Sequence, residues 1–246
     1  MMAGSATGTG TIAIGKSTLN NISTGTGNTA IGHETMEAMT VGISNVAVGY
    51  GSLATEVEGQ YNTAIGYNAL RDQNAGGSDG TSTTTANTGV GWRAGYQLTT
   101  GTNNTFLGRS AGDVVETGTN NVIIGSLSDP SANNGTNQIV IGYNTTGTGD
   151  NSVVLGNSSV TDVYMAEDSS ATVHASDGEF IKNTDGVTQA LLLANNQAAA
   201  ASSTNEAVQV LFGLSSENDS GVIRVGKDED YTSTGAKSSF MSFYTK

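Results

Sequence analysis

Asn87-Thr-Gly-Val-Gly91, Asn104-Thr-Phe-Leu-Gly108 and Asn121-Val-Ile-Ile-Gly125 are three copies of one five-residue phrase, set seventeen residues apart. Working outward, the same phrase reads TIAIG ending at Gly15, NTAIG at Gly32, NVAVG at Gly49 and NTAIG at Gly66. Downstream it reads QIVIG ending at Gly142 and SVVLG at Gly156. The intervals between the closing glycines are 17, 17, 17, 25, 17, 17, 17 and 14. A fixed period of this kind marks a repeat architecture. The long interval holds 8 extra residues, and Asn74-Ala-Gly-Gly-Ser-Asp-Gly80 lies inside it. That reads as a loop inserted into one coil, with the register of later coils kept.

The columns carry the physics. Just before each glycine stands a branched aliphatic: Ile14, Ile31, Val48, Ile65, Val90, Leu107, Ile124, Ile141 and Leu155. Three before it stands a β-branched residue, in order Ile, Thr, Val, Thr, Thr, Thr, Val, Ile and Val. Side chains alternate along a strand, so these two columns share one face. The middle column takes the other face. It is small from Ala13 to Gly89 and bulky from Phe106 to Val154. Its partner is therefore expected to pack closely early in the domain and more loosely later. Four residues past the glycine come Leu19, Met36, Leu53 and Leu70, then the Ala94-Gly95 and Ala111-Gly112 pairs. Seven past it come Ile22, Met39, Leu98 and Val115, a column that Glu56 breaks. This suggests a second short strand per coil. The recurring glycine supplies tight turns or close backbone approach. Asn at the phrase start suits turn geometry, and stacked Asn side chains can form ladders.

Composition agrees and excludes other classes. The 246 residues include 34 Gly, 34 Thr, 26 Ser and 23 Asn, nearly half the chain, with 1 Pro and 0 Cys. Helix formers are scarce and β-branched residues plentiful, which points to an all-β chain. No window approaches ~18 consecutive apolar residues, so no helical membrane insertion is expected. Met1–Gly10 has neither the basic flank nor the apolar core of a secretory signal. Zero Cys removes disulfides and thiolate metal sites. A net charge of −13 argues against a nucleic-acid partner.

Each coil thus reads as one turn of a β-solenoid or β-roll, nine phrases long, over residues 11–159. Residues 1–10 form an N-terminal tail and 160–246 a C-terminal β-rich region. A roll this thin buries little core by itself, and both strand faces are apolar. One face is therefore expected to meet another chain, in a homotrimer.

NTAIGYNAL (Asn62–Leu70), NTGVGWRAGYQLTTGTNNTFLGRSAG (Asn87–Gly112) and GTNNVIIG (Gly118–Gly125) resemble repeats of phage tail-fibre and related virion fibre proteins. They are also similar to the head repeats of trimeric autotransporter adhesins of the YadA type, whose repeat is shorter. The resemblance covers residues 11–156. It implies a structural or host-attachment role on a virion. The partners would be other tail or capsid proteins and a host cell-surface glycan or protein. The alternatives are a bacterial surface adhesin head or a glycan depolymerase carried on a fibre. The stretch 1–246 carries no secretion signal, coiled-coil stalk or membrane-anchor barrel, which tilts the expectation to the phage type.

Past Gly156 the phrase stops. Runs of β formers bounded by Gly, Asn, Asp or Ser fall at 160–165, 171–174, 178–182, 190–194, 207–212, 221–225 and 239–244. They read as an antiparallel meander, with residues 195–205 as a loop or short helix. SSVTDVYMAEDSSATVHA and SGVIRVGKDEDYTSTGAKSSFMSFYT are similar to shaft-to-tip segments of phage fibres.

Candidate chemistry is sparse. Gly10-Thr-Ile-Ala-Ile-Gly15-Lys16-Ser17 matches the P-loop pattern literally. Its variable positions, however, are the repeat strand, and no helix is expected after it. Six Asn-x-Ser/Thr sequons, at Asn21, Asn103, Asn134, Asn144, Asn157 and Asn218, are the number that so Asn- and Thr-rich a chain gives by chance. Asp228-Glu229-Asp230 reads as a solvated turn. His33 and His174 read as isolated surface or packing residues. Tyr50, Tyr67, Trp92 and Tyr143 each directly follow a phrase glycine, in one column. Such a stripe can contact a ligand such as a sugar ring, or seal a chain–chain contact. The Thr column looks buried, which weighs against an ice-binding face. No catalytic residue, cofactor or metal is expected.

Overall fold

The computed structural model describes residues 9–74, 80 and 82–163, and the backbone of 207–213, 220–227 and 239–244. It divides into two units, Met1–Tyr164 and Met165–Lys246. In the first, the strands in chain order are β1 (Ile12–Ile14), β2 (Thr29–Ile31), β3 (Val46–Val48), β4 (Gly59–Gln60), β5 (Thr63–Ile65), β6 (Thr83–Thr84), β7 (Thr88–Val90), β8 (Thr105–Leu107), β9 (Val122–Ile124), β10 (Ile139–Ile141) and β11 (Val153–Leu155). Nine of them, the repeat phrases, form one parallel sheet in the order β1-β2-β3-β5-β7-β8-β9-β10-β11. Each coil, numbered 1 to 9 by its phrase, lays its strand beside the next. The long interval keeps Thr63 opposite Thr88, and the short one keeps Ile139 opposite Val153. The unit is a parallel β-solenoid, and at ~4.8 Å per strand its sheet runs about 38 Å. The described residues contain no helix.

The phrase glycine is required by both conformation and space. From Gly15 to Gly142 its φ lies between 129° and 152°. A Cβ on Gly49 would stand 2.4 Å from the Gly66 carbonyl oxygen of the next coil. Only a residue without a side chain lets the coils stack at strand spacing here.

The middle column faces inward. Ala30, Ala47, Ala64, Phe106, Ile123 and Val140 are completely buried. The interior of a coil this narrow admits few large groups, and the two halves of the roll fill it differently. In coils 1–4 the small alanines face Leu19, Met36, Leu53 and Leu70, all buried. In coils 5 and 6 that opposing column holds Gly95 and Gly112, and Phe106 occupies the space. A Cβ on Gly112 would lie 2.2 Å from Phe106 Cδ1, and one on Gly95 2.6 Å from its Cδ2. The expected loosening therefore does not occur, because bulk passes from one wall to the other. Leu19, Met36, Leu53 and Leu70 sit at φ of 48° to 50°, while the glycines that replace them sit at 60° and 62°. The early half thus holds long side chains in a conformation that costs about 1–2 kcal/mol per residue.

A buried amide ladder runs beside the core, through Asn28, Asn45, Asn62, Asn87, Asn104, Asn121 and Gln138. The Asn45 backbone N–H and side-chain amide both donate to Asn28 Oδ1 at 3.0 Å, and the amide also donates to the Gly59 carbonyl at 2.8 Å. Asn104 repeats the arrangement on Asn87 and Gly118, and Asn121 on Asn104 and Gly135. The ladder satisfies polar groups that a purely apolar core would leave unpaired. At the insertion the pattern adapts: Asn62 donates to the Thr85 hydroxyl at 2.6 Å. There, too, Glu56 replaces an apolar residue. Its carboxylate is buried, accepts the backbone N–H groups of Val57, Glu58 and Gly59, and receives the Gln73 amide at 2.8 Å.

A second strand in the coil is fragmentary among the described residues. β4 pairs with β6, and isolated bridges join Thr119 to Thr136 and Asp129 to Thr146. Elsewhere the coil-to-coil contacts on that side are single turn hydrogen bonds, such as Leu53 N–H to the Ala69 carbonyl at 3.0 Å.

In the second unit, β12 (Ala207–Gly213) pairs antiparallel with β13 (Ser220–Lys227), which pairs antiparallel with β14 (Ser239–Tyr244). The expected strands at 171–174, 178–182 and 190–194, the loop at 195–205, and His174, Asn218 and Asp228–Asp230 lie outside the described residues. The expected strand at 160–165 is corrected over its described part. Val160 donates its N–H back to Asn157, closing a turn, and residues 160–163 are not a strand.

Candidate functional site

Two outer surfaces of the roll stand out. The first is the outward face of the long sheet. Because the middle column turns in, the two flanking columns turn out. Ile12, Ile14, Ile31, Ile65, Leu107, Ile141, Val153 and Leu155 are 36–61% exposed. Thr29, Thr63, Thr88 and Thr105 are half-buried in the same face. The Thr column is therefore not buried, which corrects the reading from sequence. Both columns are apolar enough for a core, and size rather than polarity selects the alanines for the inside. No position of either column carries a charge.

The second surface begins one residue past the glycine. Here the coil-to-coil spacing brings side chains of one column into a row. Tyr50 and Tyr67 stack with centroids 5.3 Å apart and planes 12° apart. Trp92 continues the row 6.4 Å from Tyr67. His33 joins its other end, stacked 5.2 Å from Tyr50 with the planes nearly parallel at 6°. Three of the four flagged aromatics are thus brought together, and Tyr143 stands apart, beyond Arg109 and Ser126 of the same column. His33, read from sequence as isolated, belongs to the row. Its place directly after Gly32 was the available signal. A gap of 5.3 Å admits no further ring, since two stacked contacts need about 7 Å. Along the row, edges and hydroxyls meet solvent rather than ring faces.

Cations line the same side. The Arg93 guanidinium lies 3.9 Å over the Tyr96 ring and 5.2 Å from Trp92. Arg71 lies 5.9 Å over Tyr96 and pairs with Asp72 at 2.6 Å. Partial burial opposes the Arg71 charge, yet Asp72 keeps its pKa above the ordinary value. The neighbouring Glu34 carboxylate favours the protonated Tyr50 phenol and holds its pKa up. Beside the row a groove of about 560 Å³ opens over coils 1–4, with Glu34, Glu37, Tyr50, Gly51, Ala54 and Arg71 among its lining residues.

Farther along, Asp129 is pushed up to about 6 by burial and by the neighbouring Asp113 charge. Its Oδ1 is buried without a partner. Among the described residues, no three His, Asp or Glu side chains gather as a metal site. The P-loop-like stretch is strand β1 between two turns, and a Cβ on Gly15 would lie 2.0 Å from the Gly32 carbonyl oxygen. No helix N-terminus follows it to bind phosphate. No helix among the described residues is long and apolar enough to cross a membrane.

Comparison of the chain with protein-family models, with curated proteins and with solved structures finds no match.

Proposed function

We propose that the chain is a non-enzymatic segment of a homotrimeric β-fibre. Its roll is the shaft, and its C-terminal region is an antiparallel meander. One observation carries this reading: the exposed, uncharged aliphatic face of the nine-stranded sheet. The face is about 38 Å long and about 10 Å wide, from the strand spacing and the rise per residue. That is an apolar patch of about 400 Å², in the range where a patch on a soluble protein is commonly functional. The face runs the full length of the repeat, so a partner of equal length covers it best. A copy of the chain has that length and the same apolar ranks. No position of this face carries a charge, so covering it with a second copy desolvates no ionised group. Three copies is the number implied by the resemblance to phage and virion fibres.

In this reading the trimer sits on a virion, held by tail or capsid proteins, and engages a host cell-surface glycan or protein. A bacterial surface adhesin head is the alternative placement. Three identical surfaces multiply weak contacts into avid attachment. The test places carboxylates on the face. In the double variant Ile65→Asp with Val90→Asp, both new side chains project outward and the coil stays folded by circular dichroism. The trimer should separate into single chains, and binding to host cells should fall by about 100-fold or more. Unchanged mass, or equal cell binding by the separated chains, would overturn the reading.

The corrected Thr column favours a second reading if the wild-type chain is monomeric. A flat, regular rank holding Thr29, Thr63, Thr88 and Thr105 would then face water along a rigid sheet. Ice binding, read as thermal hysteresis, is the activity to measure.

A further inference from the structure

The groove beside the aromatic row has a simple origin in the repeat. At two and at five residues past the phrase glycine, coil 3 carries Gly51 and Ala54. Coil 2 carries Glu34 and Glu37 at those positions, and coil 4 carries Asn68 and Arg71. One coil with small side chains between two with long ones makes a notch one coil wide. Its flanking coils are two strand spacings apart, about 9.6 Å centre to centre. One wall is acidic, the other holds a guanidinium, and Tyr50 joins the lining between them.

Further polar groups converge on this notch. Asn21, Thr55 and Asn74 add amide and hydroxyl groups to its lining. Asn68 is 8% exposed, and its Oδ1 is buried with no hydrogen-bond partner. That oxygen lies against Gly51, where a Cβ would stand 2.3 Å from it. Asn68 thus packs behind Gly51, beneath the lining rather than in it, and holds that coil's backbone low between its neighbours.

We propose that this notch binds one neutral hexopyranose unit of a glycan. The cleft volume suits a small ligand of that class. Carboxylates accept hydrogen bonds from adjacent sugar hydroxyls, while the Arg71 guanidinium donates to ring and hydroxyl oxygens. Two carboxylates against one guanidinium, itself paired with Asp72, leave the lining net negative. Anionic sugars are therefore repelled and neutral ones admitted. The lining mixes Ala38, Ala54 and Val57 with charged and amide groups, which suits the mixed faces of a sugar better than a lipid chain. The proposal deepens the attachment reading and rests on it for the biological source of the glycan. The cleft itself is complete on one chain.

The test titrates the full chain with neutral methyl hexosides of the gluco, galacto and manno series and with N-acetylglucosamine. It is followed by saturation-transfer NMR, with sialic acid as the anionic comparison. At least one neutral sugar should bind in the millimolar range, and sialic acid should not. Ala54→Tyr fills the notch at a position where coil 5 already carries Tyr96, so the coil tolerates it. That variant should lose binding at least tenfold, with its solution mass unchanged. Glu37→Gln should weaken binding several-fold without filling the space. Failure of every neutral sugar to bind, or full binding by Ala54→Tyr, would overturn the proposal. Sugar binding by a monomeric chain would sink the fibre reading alone, and a trimer that binds no sugar would sink the cleft alone.

Discussion

Coils 1–4 and coils 5–8 share one phrase, one sheet and one amide ladder, yet they fill the interior in opposite ways. The early half sets alanines on the strand and Leu or Met on the facing turn. The later half sets Phe106, Ile123 and Val140 on the strands of coils 6–8, opposite Gly112 in coil 6. Coil 5, with Gly89 and Gly95 on its two walls, is filled by Leu70 and Phe106 from the coils on either side. The difference teaches that the repeat conserves interior volume, not residue type. Close packing demands that total, and either wall can supply it. The outer surface diverges in parallel: the stacked aromatic row and the notch belong to the early half, while the later half presents Arg109, Ser126 and Tyr143 in the same column.

The comparison breaks most visibly at Phe106. Phe106→Ala alone should cost about 3–5 kcal/mol, because Gly112 and Gly95 cannot fill the void. Gly112→Leu alone should also destabilise, by about 1–3 kcal/mol, as its side chain meets the ring. Combined, they recreate the pairing of the early half, at a backbone position whose φ of 62° is close to the 50° of Leu53. The double variant should therefore be more stable than the sum of the singles by about 1 kcal/mol or more, measured by urea unfolding. Simple additivity would show that the two packings are not equivalent.

Much of this was legible in the sequence. The seventeen-residue spacing and the period-2 columns predict the parallel stack and its register across both irregular intervals. Which face turns inward was not legible, since Ala and Ile are both apolar and only the narrow bore of the coil separates them. The buried Glu56 read as a break in an apolar column. Its satisfaction by three backbone N–H groups and Gln73 depends on turn geometry that spacing does not reveal. Of the surface site, the aromatic column was visible as a position in the repeat. The notch was not, because it arises from small residues in one coil seen against its two neighbours.

The ladder should be indifferent to the comparison. Asn45→Ala in the early half and Asn104→Ala in the later half each strand the next coil's N–H and a glycine carbonyl, and leave the preceding amide oxygen with only the backbone N–H of its two donors. Each group left unpaired costs about 1–3 kcal/mol, so both variants should lose about 3 kcal/mol or more and match each other in thermal unfolding. A large inequality would mean that the insertion, not the repeat, sets ladder strength.

The smallest effect is a pH effect confined to the later half. The Asp129 carboxyl titrates near 6 in the folded chain, against an ordinary 3.8. A raised folded pKa means that ionisation costs folded stability. The cost is absent below about 3.8, grows through that window and is complete above about 6. Asp129→Asn should therefore stabilise the chain by about 1 kcal/mol at pH 7, after allowance for partial solvent exposure. At pH 3.5 the gain should vanish.

The central claim is that copies of this chain cover the aliphatic sheet face of the roll. Light scattering on the purified wild-type protein tests it most directly. A solution mass near three times 24.9 kDa is the predicted result. A stable monomer at 24.9 kDa, with its ranks of Ile, Val and Thr open to water, would contradict it.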